Sequence, residues 1–148
     1  MVEIADFAQK MNQIMPEIMR GFIRRQNNEV YKDKITLPQI VILEFLYRQG
    51  ASKMTDLAKY MKVSTAASTG IVERLVRQGY VQRAYDHDDR RIVRIQLNAK
   101  GTSILKKIVQ QRTQSVTKIF NQISAQDRAE YLRILMQVKD ILDKEEAE

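Results

Sequence analysis

The side chains that usually carry covalent or metal chemistry are nearly missing from this sequence. Its 148 residues include no cysteine and a single histidine, His87. The lack of cysteine excludes disulfides, thiol nucleophiles and zinc–thiolate sites, and one histidine alone makes a poor metal site. The sequence also has no glycine-rich phosphate loop and no HExxH motif. We therefore expect neither a metal nor a cofactor, and we predict that the protein is not an enzyme.

The charged side chains are the next candidates for a functional role. The chain carries 25 Lys and Arg against 18 Asp and Glu, a net charge of +7. The segment from Lys53 to Arg94 holds nine bases and five acids, so more than half of the excess lies in under a third of the chain. Basic surface attracts phosphate groups, which favours a nucleic-acid partner. The aspartates of Asp86–Arg91 could suggest a hard-cation site, but the adjacent arginines make an internally paired turn the simpler interpretation.

Two short helices are predicted to position this charge. In the first, Leu57, Ala58 and Met61 lie three and four residues apart, which places them on one helix face. Thr55 is expected to cap this helix, because its hydroxyl can accept from a first-turn amide. Lys62–Val63 then forms a tight turn into the second helix.

The second helix is predicted to run from a cap at Ser64 to Gln78, and Gly79 ends it where a positive φ is commonly needed. Its apolar stripe comprises Ile71, Val72, Leu75 and Val76. The opposite face comprises Ala66, Gly70, Glu73, Arg74 and Arg77. Ser68 lies on the apolar side, where we expect its hydroxyl to bond back to a carbonyl one turn earlier. Taken alone, this pattern also fits an ordinary surface helix.

A hairpin with a charged tip is predicted to follow. Residues 80–85 and 92–97 are rich in β-branched and aromatic residues, as strands are, and the wholly charged stretch 86–91 separates them. Helix, turn, helix and hairpin in this order form a winged helix-turn-helix. A helix fits the DNA major groove and a basic tip reaches the minor groove or the phosphates, so the arrangement favours DNA binding.

At these residues the chain resembles the MarR family of bacterial transcriptional regulators. The matching pieces, in order, are LAKYMKVS, IVERLVRQGYVQR, DDRR and LNAKG. The long helices predicted on either side match the family too. The resemblance implies a homodimer, a palindromic operator in double-stranded DNA, repression more often than activation, and often a small-molecule site.

The resemblance also implies which side chains contact DNA. The candidates are Ser64, Thr65, Thr69, Gly70 and Arg74 on the second helix, and Arg90 and Arg91 at the hairpin tip. Arg90 is implied to lie over the minor groove, with Asp89 and Arg91 bracing or assisting it. The family often carries a basic side chain at the position of Gly70, so a contact that relatives make is expected to be missing here.

The chain on both sides of this region is predicted to be helical. An N-terminal stripe comprises Phe7, Met11, Ile14, Met15, Ile18, Met19, Phe22 and Ile23. Pro16 interrupts it, so we expect either a kink or a restart there. A loop over Tyr31–Pro38 is predicted to follow. The next helix runs to Gly50, with Thr36 or Leu37 near its cap. Two amphipathic helices, capped by Asn98 and Ser124, complete the chain.

The winged helix-turn-helix is too small to cover the apolar stripes of these outer helices, and exposed stripes of this size indicate a partner. We refer to the winged helix-turn-helix, residues 36–97, as the reading module. A two-fold homodimer is the commonest solution. We therefore predict three regions: residues 1–35, an N-terminal dimerisation helix; residues 36–97, the winged helix-turn-helix; and residues 98–148, the C-terminal dimerisation helices. The predicted fold class is mainly α, with a minor sheet.

An effector site is harder to predict. Methionine suits an adaptable apolar pocket, which makes Met15, Met19 and Phe22 candidates for binding a small apolar or aromatic effector. The alternative is that they are core or dimer-interface residues, as such stripes more commonly are.

Two expectations concern class and location. The main functional alternative is a winged-helix module that binds protein or RNA without operator specificity. The sequence shows no signal peptide and no apolar run that could span a membrane, so we expect a cytoplasmic protein.

Overall fold

We describe the protein from a computed structural model, which covers residues 1–25 and 35–147. Its elements are α1 Ile4–Arg25, α2 Leu37–Gln49, β1 Ser52–Lys53, α3 Met54–Met61, α4 Thr65–Arg77, β2 Val81–Tyr85, β3 Val93–Leu97, α5 Ala99–Phe120 and α6 Ala125–Glu146. The predicted fold class, mainly helical with a small sheet and a winged helix-turn-helix, is confirmed. The chain divides into two compact units, Met1–Gln111 and Arg112–Glu148. None of the helices in the described ranges is long and apolar enough to cross a membrane.

The core of the first unit is built by α2, α3, α4, the sheet and the start of α5. Its fully buried side chains include Ile42, Leu43, Leu57, Val72, Leu75 and Ile95. Leu57, Val72 and Leu75 belong to the apolar stripes that the sequence predicts for the two short helices, so burying them fixes the orientation of these helices.

The three strands form an antiparallel sheet in the order β1-β3-β2. In the hairpin, Val81 pairs with Leu97 and Tyr85 with Val93, so the predicted strands are confirmed to within one residue at each start. The strand β1, which pairs Ser52 with Ile95, was not predicted. Two residues are too few to show the alternation by which a strand is recognised from sequence.

The predicted cap of α3 is wrong. The helix begins at Met54, and its N-cap is Lys53, which makes no side-chain capping bond. Thr55 therefore lies inside the first turn. The reason is tertiary, because Ser52 and Lys53 are held extended by pairing with β3, and the helix starts where that pairing stops. The turn is as predicted, with Lys62 in the left-handed region at φ 55°.

The other predicted helix ends agree with the structure. Ser64 caps α4, and Gly79 follows it at φ +79°. At α2, Thr36 forms a capping box with Gln39, whose side-chain oxygen accepts from the Thr36 amide at 2.9 Å. The predicted loop before α2 falls largely on residues 31–34, which lie outside the described residues.

The outer helices expose their apolar stripes. Helix α1 is one continuous helix through Pro16, so the alternative of a restart there is wrong. Neither α1 nor α6 contains a buried residue. In the second unit, Ser124 caps α6 by accepting from the Asp127 amide at 3.1 Å, as predicted.

The junction between α4, β2 and α5 is tightly fitted. Asn98 caps α5 by accepting from the Gly101 amide at 2.8 Å, and its side-chain amide donates to the Gly79 carbonyl at 2.6 Å. Lys100 Nζ donates to the Gln78 carbonyl at 2.8 Å. A Cβ at Gly101 would lie 2.0 Å from the Tyr80 carbonyl oxygen. Glycine is therefore required here for close approach of two backbones.

We predict that Gly101→Ala lowers the free energy of unfolding by about 1–3 kcal/mol or more, the usual range for overpacking. The Tyr80 carbonyl belongs to the backbone and cannot rotate away as a side chain would. Urea unfolding followed by circular dichroism provides the measurement. Gly70→Ala is the matched control, because a Cβ there would meet nothing within 4 Å. Equal urea midpoints for the two variants would show that the junction tolerates a methyl group.

Candidate nucleic-acid interface

Helix α4 is seated on the core by one face. Its buried residues are Ser68, Val72 and Leu75. The Ser68 hydroxyl donates to the Met54 sulfur at 3.6 Å, so the expected bond back to a carbonyl one turn earlier is wrong. The sulfur of α3 faces this hydroxyl, and the contact satisfies a buried polar group at the helix–helix interface. This packing holds α4 by side chains and leaves its opposite face in solvent.

The exposed face of α4 is the one that the sequence pattern predicts. Ala66, Gly70, Arg74 and Arg77 are exposed along it. Glu73 is half-buried and forms an ion pair with Arg83 of β2. This ion pair joins the helix to the hairpin, and it neutralises the Glu73 carboxylate with an arginine of the same chain.

The first turns of α4 present hydroxyl groups with defined hydrogen-bonding capacity. Ser64 Oγ accepts from the Ala67 amide at 3.1 Å, so its own hydrogen is available to an outside acceptor. Thr69 Oγ1 donates to the Thr65 carbonyl at 2.7 Å. Thr69 therefore offers an outside partner only acceptor lone pairs and a methyl group.

The tip of the hairpin, residues 86–92, is an internally bonded turn. Asp86 Oδ1 accepts from the Asp88 amide at 3.0 Å, and Asp86 Oδ2 accepts from Arg94 Nε at 3.0 Å. The Asp88 amide first, and then the Arg94 guanidinium, hold the pKa of Asp86 below its usual value. The direction of this shift shows that the two contacts favour the charged carboxylate, which joins Asp88 and Arg94 at the base of the tip.

The two arginines of the tip differ in their bonding. Arg91 donates to Asp89 Oδ1 through its amide at 3.0 Å and through Nε at 3.2 Å. Arg90 is exposed and forms no ion pair among the described residues. The predicted pairing with the adjacent arginines is thus correct for Asp89 and Arg91 and wrong for Asp86, whose partner is Arg94 of β3. Arg90 extends from the tip into solvent.

A cavity of about 670 Å³ lies elsewhere in the first unit. Its lining comes from α2, α3 and α5 and comprises Glu44, Tyr47, Arg48, Tyr60, Leu105, Lys106, Val109 and Gln110. Arg48 Nη2 donates to the Tyr60 hydroxyl at 2.8 Å, and the Tyr60 ring lies 4.5 Å from that of Phe45. Met15, Met19 and Phe22 do not line this cavity; the two methionines are exposed on α1.

Comparison with known proteins places this geometry in a family. The family model described as MarR family matches residues 35–93, the segment that spans α2 to the start of β3. A crystal structure of a MepR-like protein complexed with pseudoligands is 32% identical, covers 93% of this chain and 94% of that chain, and has a TM-score of 0.58. The chain belongs to the MarR family. The resemblance seen in the sequence is thereby confirmed.

Two other proteins are similar along most of their length. The uncharacterized HTH-type transcriptional regulator YwhA of Bacillus subtilis is 28% identical over 109 residues, which are 70% of this chain and 78% of that protein. The structure of Streptococcus pneumoniae FabT in complex with DNA has a TM-score of 0.78 at 22% identity, covering 93% of this chain and 98% of that chain. This MarR family chain is a DNA-binding transcriptional regulator and not an enzyme.

Several residues of the interface could not be found from the sequence. Three side chains contact partners that are distant in the sequence. Arg83 pairs with Glu73, Met54 accepts from Ser68, and Arg94 pairs with Asp86 across the hairpin. Arg83 and Arg94 are two of the nine bases that the charge count includes, but no local motif singles them out. No group of three or more metal-ligating side chains occurs within residues 1–25 and 35–147.

Proposed function

We propose that the protein is a dimeric repressor that binds a palindromic operator in cytoplasmic double-stranded DNA. The observation that carries the proposal is the placement of the exposed face of α4 beside a hairpin at whose tip Arg90 forms no ion pair with residues 1–25 or 35–147. One face of α4 is buried and the other is open, as a helix inserted into the major groove requires. A dimer bound over a promoter represses by occupying the DNA that polymerase needs.

The side chains of α4 divide into two kinds of contact. Ser64 donates its free hydroxyl hydrogen to a phosphate at the start of the helix, where unpaired amides also favour an anion. Arg74 is exposed and basic, and it binds phosphate or a guanine edge. Thr69, together with Thr65, contacts bases as an acceptor and through its methyl group. Arg90, assisted by Arg91, enters the adjacent minor groove.

The dimer follows from the apolar surface of the outer helices. Ile4, Phe7, Ile14, Ile18, Met19 and Ile23 are exposed on α1, and Ile134, Leu135, Val138, Ile141 and Leu142 are exposed on α6. Surface of this kind on a single chain requires a cover, and a second copy supplies one with the same pattern. Residues 1–35 and 98–148 would then form the dimerisation region around the reading module of residues 36–97. The two α4 helices would lie about one DNA turn apart.

Arg90→Ala tests the DNA contact. We expect it to weaken operator binding by roughly tenfold, the effect of one lost charged contact, and to lower the slope of log affinity against log salt by about one. Lys107→Ala removes one exposed charge from α5 and is the matched control. Fluorescence anisotropy over a salt series provides the measurement. Salt-independent or absent duplex binding by the unaltered chain would favour a protein-docking module instead.

Removal of the last helix tests the dimer. A chain ending at Gln126 loses α6 and its exposed apolar stripe, so we expect it to be monomeric or aggregated. Light scattering of the full chain, which should have the mass of two copies, is the reference. A truncated chain that remains a well-behaved dimer would contradict the role proposed for α6.

The cavity between α2, α3 and α5 suggests how a small molecule relieves repression. The walls of Tyr47, Leu105 and Val109 are apolar or aromatic, and Arg48 and Lys106 add positive charge. A molecule seated there contacts α3, which packs directly against α4. An aromatic effector that prefers a shifted α3 would move the reading helices from their matching spacing.

Val109→Trp tests this effector site, because a large side chain fills the cavity at its edge. With benzoate as the probe, we expect operator affinity of the unaltered chain to fall several-fold and that of the variant to stay unchanged. Anisotropy titrations at constant ionic strength make the comparison, with chloride replacing benzoate as the salt control. An equal response of both proteins would place the benzoate effect outside the cavity.

A further inference from the structure

Gly70 is a glycine that the fold does not need. It lies within α4, where its backbone is helical, and a Cβ added to it would meet nothing within 4 Å. Of the other four glycines, Gly21 of α1 also has open space at its Cβ, and three have a structural reason. Gly50 and Gly79 adopt positive φ angles, and Gly101 touches a backbone carbonyl.

Glycine at this position weakens the helix. It is among the poorest helix formers, because the unfolded chain loses more freedom there than at any other residue type. An alanine would fit the same space and stabilise α4. Contacts within the chain therefore do not explain why position 70 is a glycine. Gly70 lies on the exposed face of α4, which is the face proposed to contact DNA.

The neighbours of Gly70 leave this space open. The Thr69 hydroxyl is turned to the Thr65 carbonyl at 2.7 Å, and the Glu73 carboxylate is paired with Arg83. One turn earlier, Ala66 contributes only a methyl group. An outside surface can therefore approach the α4 backbone at Gly70 more closely than at Arg74 or Arg77.

We propose that Gly70 determines operator specificity by admitting a thymine methyl group against the backbone of α4. This inference rests on the proposed operator binding. In the major groove the thymine methyl is the apolar feature that projects from a base-pair edge, and a Cα without a side chain leaves room for it. No side-chain donor is present at Gly70 to bind guanine. The base pair that faces Gly70 is thus A·T in both half-sites.

Selection of bound sites from random duplexes tests the inference with three proteins: the unaltered chain, Gly70→Ala and Gly70→Arg. The unaltered chain should enrich a palindrome with an A·T pair at one symmetric position of each half-site. Gly70→Arg should change those two positions to G·C and leave the others unchanged, because arginine pairs with the guanine edge. The symmetric change at two positions distinguishes a base contact from a general loss of affinity.

Gly70→Ala separates recognition from folding. Its methyl group should lower affinity for the selected operator by roughly tenfold, the size of one lost base contact. Its melting temperature should rise by about 2–4 °C, because alanine favours the helix. A structural role for Gly70 would move stability and affinity in the same direction. Ser103→Ala, an exposed change on α5, is the control for added helix propensity outside α4.

The outcomes separate the two proposals. If Gly70→Ala binds the operator as tightly as the unaltered chain, or if Gly70→Arg selects the same palindrome, the inference about Gly70 is wrong while operator binding stands. If the unaltered chain enriches no sequence at all, the proposed function itself is wrong.

Discussion

The close approach of Gly101 to the Tyr80 carbonyl is the constraint on which the reading module depends. At this point the end of α4, the start of β2 and the first turn of α5 meet without space for a methyl group. Asn98 and Lys100 then bond to the carbonyls of Gly79 and Gln78. These contacts join the end of α4 and the start of β2 to the first turn of α5. The buried side chains of α4 and the Glu73–Arg83 ion pair further restrict the orientation of the helix relative to the hairpin.

Internal ion pairs determine which charges remain for a partner. Glu73 is paired with Arg83, Asp86 with Arg94 and Asp89 with Arg91. The acids of the second helix and of the tip are therefore largely neutralised within the module. The excess of bases over acids is left on outward-facing side chains, where it attracts phosphate most effectively.

The same structure shows where the module is incomplete. The fully buried core lies between α2 and the first turns of α5, while α1 and α6 bury nothing in the described residues. Exposing so many apolar side chains to water is unfavourable, since the hydrophobic effect scales with apolar area. In the proposed dimer, α1 and α6 bury their apolar side chains against the second copy. The same contacts set the distance between the two α4 helices.

The sequence by itself determined the elements whose signals are local. The cap at Ser64, the break at Gly79 and the β-branched and aromatic residues of 80–85 and 92–97 define α4 and the hairpin, because each signal depends on neighbours within a few residues. Only the tertiary structure decided the features that join distant residues: the short strand at Ser52, the loss of Thr55 as a cap, the Ser68–Met54 contact and the cavity on three helices. The spacing of apolar residues indicates which face of an element is buried, but it does not indicate which other residues that face contacts.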